Sequence, residues 1–260
     1  MSDPTGPLLT EEDGPAFEVV NPRGTSSAVL VCDHASHRIP ARLGDLGISE
    51  SDRLSHIGWD IGAGEVARRL SQLLDAPLVL AGFSRLVIDC NRPLGAPSSI
   101  PLVTGGVTVP GNHDLNAASA RARADACFRP YHDAIAGLLD GLVREGRPLR
   151  LLALHSFTPE MLGDVRPWHA AVLYGRDRSL AEPWLAELRR EPGLVIGDNE
   201  PYRVTDGGDS TIPVHGERRG IPSVLIELRQ DLVGSPEGAL EWAERLGRIH
   251  RAVDGSLVTG

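Results

Sequence analysis

Short apolar runs alternate along the chain with longer stretches whose apolar positions recur at helical spacing, and this alternation sets the fold class. Ser27–Cys32, Pro77–Ala81, Leu86–Cys90, Leu151–Leu154, Ala170–Tyr174, Leu194–Ile196 and Ser223–Leu228 read as strands. Asp60–Leu74 places Ile61, Val66, Leu70, Leu73 and Leu74 on one face of a helix, with Asp60 as its cap. Tyr131–Val143 does the same with Ile135, Leu138, Leu139 and Leu142, and Pro130 starts or kinks that helix. Ser179–Arg190 and a closing segment, Ala239–Val253, complete the helices. Strands alternating with helices predict an α/β fold, a largely parallel or mixed sheet with helices on both faces. Residues 1–21 read as a loosely attached polar arm, and residues 22–260 as one domain. The stretch Pro93–Pro110, rich in Gly, Pro and Ser, reads as a long loop over the surface or the site.

Composition narrows the possible partners. At 260 residues and 41% hydrophobic content, the chain can bury one substantial core. No apolar run is long enough to cross a bilayer. The segment Met1–Ala16 lacks the basic start and apolar stretch of a signal peptide, so a cytoplasmic protein is expected. Cys32, Cys90 and Cys127 form no C-x-x-C pair, and they read as reduced, buried thiols. Net charge is −9 and every basic residue is arginine. An acidic surface argues against nucleic acid and anionic membrane as partners. It leaves an acidic small substrate open, because a few buried arginines set the field inside a pocket. Nothing in the pattern fixes an oligomeric state.

The candidate chemistry gathers where predicted strands end, the place at which such sheets bind ligands. His34, Asn91 and His155 each follow a strand run. A catalytic zinc needs about three protein ligands and an open position. His34 and His37 form H-x-x-H, and His155 stands in a second strand-end pair with Ser156. Glu227 lies in the apolar run Val224–Ile226, where a carboxylate is costly unless paired or used. Arg229, two residues on, shares its face: the two either form an ion pair or line a site together. We read Glu227 as a general base. Arg85 and Arg92, beside Asn91, suit a clamp for a carboxylate. His215, in a Gly- and Arg-rich loop, is a candidate for oxyanion stabilisation or substrate binding, with a structural loop role as the alternative. His113, His132, His169 and His250 read as surface or structural residues.

Taken in order, His34-Ala35-Ser36-His37, Asp89-Cys90-Asn91-Arg92, Leu154-His155-Ser156-Phe157 and Ile226-Glu227-Leu228-Arg229 resemble the zinc carboxypeptidases and their aspartoacylase-like relatives. Longer segments make a closer resemblance to the N-formylglutamate amidohydrolase family. They are Cys32–Ser36, His56–Ala63, Ser84–Pro93, Ala153–Pro159, Gly197–Tyr202, His215–Gly220 and Glu227–Asp231. The resemblance implies a carboxypeptidase-like α/β fold and a bound zinc ion. It also implies hydrolysis of the N-acyl bond, N-formyl above all, of a small acidic amino acid such as N-formylglutamate. The implied metal ligands are His34, His155 and either Asp60 or His37, since Asp60 follows the family pattern and His37 the local spacing. Glu227 would be the base, Arg92 and Asn91 would hold the substrate carboxylate, and Arg85, Arg229 and His215 would assist. A metallo-amidase for another N-acyl or peptide substrate, and a non-catalytic binding protein of the same fold, stay open; the carboxylate at 227 favours an enzyme.

Overall fold

The computed structural model describes residues 6–258. Its centre is a mixed sheet of seven strands, β1 (Phe17–Val20), β2 (Ala28–Cys32), β3 (Leu78–Ala81), β4 (Arg150–Phe157), β5 (Ala170–Leu173), β6 (Ile196–Asp198) and β7 (Ser223–Arg229). Across the sheet they run β1-β3-β2-β4-β7-β5-β6. The inner ladders β3/β2, β2/β4 and β4/β7 are parallel; β1/β3 and β7/β5 are antiparallel. β2 is buried at every position, and β4 and β7 at all but Arg150, Ser156 and Arg229, as strands covered on both faces must be.

Side-chain alternation divides the core. Ala28, Leu30 and Cys32 face a layer of α1 (Ala63–Leu74), α3 (Ala181–Leu188) and the closing helix α4 (Pro236–Val258), with Trp184 and Trp242 among its largest side chains. Val29 and Val31 face α2 (Arg129–Arg144), which buries Tyr131, Ile135, Leu139 and Leu142. A third cluster lies under the loops and contains Leu46, Phe83, Leu86, Val87 and Phe128. Among the described residues no helix is long and apolar enough to cross a membrane, and all three cysteines are free and buried.

Three local expectations change. Leu86–Cys90 is buried but forms turns, not a strand. Its carbonyls are met by side chains: Leu86 O accepts from Asn112 Nδ2 at 2.9 Å, and Val87 O from Arg123 Nη1 at 3.0 Å. An apolar run thus earns burial without a ladder, because its backbone finds partners elsewhere. Asp60 is not the cap of α1; that position is Gly62, whose φ of +81° and contact with Val233 O admit no side chain. Pro130 does stand in the first turn of its helix, as expected, where a π-helical turn, Ala124–Phe128, joins α2 to the preceding Ala117–Arg123. Finally, the 1–21 arm is not loose where it is described. Phe17–Val20 pairs with β3 from Phe17↔Ala81 to Val20↔Leu78. Arg38 donates to the carbonyls of Asp13 and Pro15; residues 1–5 lie outside the described residues.

Candidate active site

Two side chains reach the carboxyl ends of the central strands by register alone. Along β4, Leu151, Ala153 and His155 share a face; along β7, Leu225 and Glu227 share the corresponding one, and Glu227 pairs with His155 across the ladder. His155 is therefore part of its strand and does not follow it. His34 comes from the turn just after β2, and its ring meets that of His155 edge-on at 4.9 Å between centroids. Asp60 arrives from the turn before α1, tied by its N–H to His34 O at 3.0 Å.

These three residues are buried together. Nδ1 of His34 and Nδ1 of His155 both face Asp60 Oδ2, at 3.2 and 2.8 Å. All three offer ligand atoms within 4.8 Å of one another. The far nitrogen of each ring is held by its own acid: His34 Nε2 donates to Asp89 Oδ1 at 2.7 Å, and His155 Nε2 to Asp33 Oδ2 at 2.9 Å. Asp33 also accepts from Thr211 Oγ1 at 2.6 Å and Tyr131 Oη at 2.8 Å. Arg85 binds Asp89 through Nε and Nη2, at 3.0 and 2.7 Å, and approaches Asp60 at 3.4 Å.

The ionisation pattern follows from these contacts. Burial pushes the Asp33 carboxyl up, but its bonds from His155 and Thr211 outweigh this and hold it at about 2. Burial likewise opposes ionisation of Asp60 and Asp89; the histidines, and at Asp89 the Arg85 guanidinium, bring both well below the usual carboxylate range. Burial lowers His34 and His155, and Arg85 lowers His34 further, yet the surrounding carboxylates raise both. Glu227 goes the other way. Burial lifts it to about 7 against the pull of His155, and its Oε2 has no hydrogen-bond partner among the described residues.

The cluster opens into a cavity of about 210 Å³. Glu227, His56, Arg85, Arg92, Arg166 and Tyr202 are among its lining residues. Two small hairpins cover it, Val103–Thr104 with Val107–Thr108 and Glu160–Met161 with Asp164–Val165. Thr104 and Met161 face the cavity, and the hairpin tips approach each other at Gly106 and Leu162. The long loop therefore carries part of the roof.

A sequence model of N-formylglutamate amidohydrolase matches residues 26–233. The chain belongs to the N-formylglutamate amidohydrolase family. Among solved structures, gene product Atu2144 from Agrobacterium tumefaciens has a TM-score of 0.93 at 36% identity, covering 96% of this chain and 99% of that one. An N-formylglutamate amidohydrolase from Ralstonia eutropha JMP134 has a TM-score of 0.69 at 21% identity, covering 92% and 97%, and shares the fold. No curated protein matches the chain in sequence.

Within this family fold, the sequence-predicted site residues divide. His34, Asp60, His155, Glu227, Arg85, Asn91 and Arg92 line one cavity. Asn91 spends its amide on the framework, accepting from the N–H groups of Ser210 and Thr211 and donating to Asp209. It follows a buried turn, since Leu86–Cys90 is not a strand. Arg92 Nη1 is held by Gly208 O and Asp209 Oδ1, at 2.7 and 2.8 Å.

Three others lie elsewhere. The His37 ring packs on Trp59 at 5.0 Å and does not join the cluster. Arg229 turns to Asp231, with bonds of 2.8 and 3.2 Å. His215 is buried in a π-helical turn, Ile212–Gly216, and its Nε2 lies 2.8 Å from Nδ1 of His132. His132 in turn donates from Nε2 to Cys90 O. Burial and His132 push His215 down to about 3, so it stays neutral. Asp33, Asp89, His56 and Arg166 were not singled out from the sequence. The first three were legible in principle, as residues inside the Cys32–Ser36, Ser84–Pro93 and His56–Ala63 motifs. Arg166 stands in no motif.

Proposed function

We propose that this protein is a zinc-dependent amidohydrolase that removes the N-acyl group, N-formyl above all, from a small acidic amino acid. The observation that supports this most directly is Glu227: a buried carboxylate, directly paired with His155 across the ladder and open to the cavity, with one oxygen that meets no partner among the described residues.

The donor set fits zinc. With Nε2 of each ring held by Asp89 and Asp33, Nδ1 of each ring is directed at the Asp60 carboxylate. A divalent cation bound among these atoms would take the place of the Nδ1 protons that otherwise meet that carboxylate. The Nδ1–Oδ2 separations of 3.2 and 2.8 Å are close to the roughly 3.3 Å between ligand atoms about 2.0 Å from a tetrahedral zinc. His34, Asp60 and His155 would hold the ion, and Asp33 and Asp89 would fix ring orientation and ligand basicity. Bound there, zinc would act as a Lewis acid on the amide carbonyl.

The chain's own residues supply the rest. Glu227, raised toward neutrality by burial, takes a proton from the attacking water and delivers it to the leaving nitrogen. Arg85 sets Asp60 and Asp89 in place from the cavity side. Asn91 anchors Asp209, which orients Arg92 toward a substrate carboxylate. The hairpin roof keeps bulk water from the reacting bond.

The test is metal content by elemental analysis together with a screen of N-formyl and N-acetyl amino acids. About one zinc per chain, with turnover concentrated on N-formyl acidic amino acids, is the expected result. Turnover of a neutral N-acyl substrate, or binding without turnover, would replace this reading with another amidase or a binding protein.

A further inference from the structure

Four arginines line the cavity, and their partners differ. Arg85 is occupied by Asp89 and Asp60, and Arg92 by Asp209 through Nη1. Arg203 lies at the exposed rim. Arg166 alone among these four is buried, at 9% exposure, with a guanidinium nitrogen, Nη1, that meets no acceptor among the described residues. A buried charged donor left unmet costs more than a neutral one, so such an atom marks a place for a ligand acceptor. The site around it is built to hold the guanidinium still. Its Cζ lies over the Tyr202 ring, 4.9 Å from the centroid, and its backbone N–H closes the base of the second hairpin on Pro159 O at 2.8 Å. A guanidinium placed against an aromatic ring and left with an unmet buried N–H is suited to take a carboxylate.

We propose that Arg166 binds a second carboxylate of the substrate, separate from the one presented to Arg92, and so makes the site select N-acyl amino acids with an acidic side chain. This rests on the deacylase reading above and adds the residue that reads the side chain. One cavity then carries two cationic positions, matching a dicarboxylic substrate. A monocarboxylic N-acyl amino acid leaves one of them unmet. Discrimination of this kind is strong, because the penalty for the wrong substrate is an unpaired buried charge.

The experiment uses the zinc-loaded protein with Arg166→Lys, Arg166→Met and Arg92→Lys, each checked for an unchanged melting temperature. Three substrates are compared: N-formylglutamate, its α-amide and its γ-amide. Binding of glutarate is measured in parallel by calorimetry. Arg166→Lys keeps charge but loses the fork and the stack, so kcat/KM on N-formylglutamate should fall by roughly tenfold or more. That loss should largely vanish on one of the two amides, and the loss in Arg92→Lys should vanish on the other. Glutarate should bind the wild type and bind both Arg166 variants more weakly. Equal Arg166 losses on all three substrates would overturn the proposal, and so would losses that vanish on the same amide as those of Arg92→Lys. If the wild type turns over none of the three, the deacylase reading fails, and glutarate decides alone: binding weakened at Arg166 sustains the anion site, and no binding to the wild type removes it. Should Arg166→Met fail to fold, Arg166→Lys carries the comparison.

Discussion

Glu227→Gln tests the proton carrier at the scale of single atoms. The amide keeps the shape of the side chain and accepts no proton, so zinc content and melting temperature should hold while kcat falls by about 10² or more. Loss of zinc in that variant would make Glu227 a ligand; unfolding with full specific activity of the folded fraction would make it structural. At the metal, Asp60→Asn should weaken zinc binding by at least about tenfold, and His37→Ala should leave it near wild type, read by competition with a chromophoric chelator. Equal effects would remove Asp60 from the ligand set. Much of this neighbourhood was legible in the sequence, because His34, Asp60, His155 and Glu227 sit in motifs with strand or turn context. What was not legible depends on distant packing. Arg229 shares the strand face of Glu227 yet reaches Asp231. His215 pairs with a histidine 83 positions away, on a helix that nothing in its own loop announces. Arg166 is set apart by an unmet donor, a property of the folded chain alone.

Elements carry their own consequences. The π-helical turn holding His215 packs this ring against His132 at a ring-centroid distance of 5.1 Å, and burial is the main cause that lowers both bases. A base whose folded pKa lies below its unfolded value binds more protons when the chain unfolds, so stability rises with pH. For His215 the stabilisation is intact above about 6.5 and is lost as pH falls toward about 3. His215→Gln should therefore flatten the acid side of the stability profile by up to about 1 kcal/mol per pH unit, measured as denaturation free energies from pH 7 to 4. An unchanged slope would mean that the pair does not govern acid stability. At the start of α1, Gly62→Ala should cost about 2–4 kcal/mol, because φ is +81° and a Cβ would lie 2.2 Å from Val233 O. A cost under 0.5 kcal/mol, the usual size for a surface change, would show that the turn relaxes freely. The inner strands β2, β3, β4, β5 and β7 and the helices against them are legible because period and apolar runs report burial directly, whereas the expected Leu194–Ile196 shares only Ile196 with β6. Leu86–Cys90 was misread because burial was all that its pattern could report.

At the scale of the whole molecule, zinc bound only by the folded state should stabilise it. Removing it with a chelator should lower the melting temperature by several degrees, and added zinc should restore it. A melting curve indifferent to both would deny the ion any part in the fold. The alternating strands and helices made the α/β class legible, whereas the edge position of β1 was not, since Phe17–Val20 is too short and too exposed to stand out from a polar arm. That edge pairing has a practical side. β1 covers one rim of the sheet, where every residue of Leu78–Ala81 is buried. Trimming the chain back to residue 22, as its composition invites, would bare the unpaired N–H and C=O groups of a hydrophobic strand. Such a rim is a template for another chain, so the shortened protein should self-associate with rising concentration in light scattering while the full chain does not. The apparent tail is a guard against aggregation.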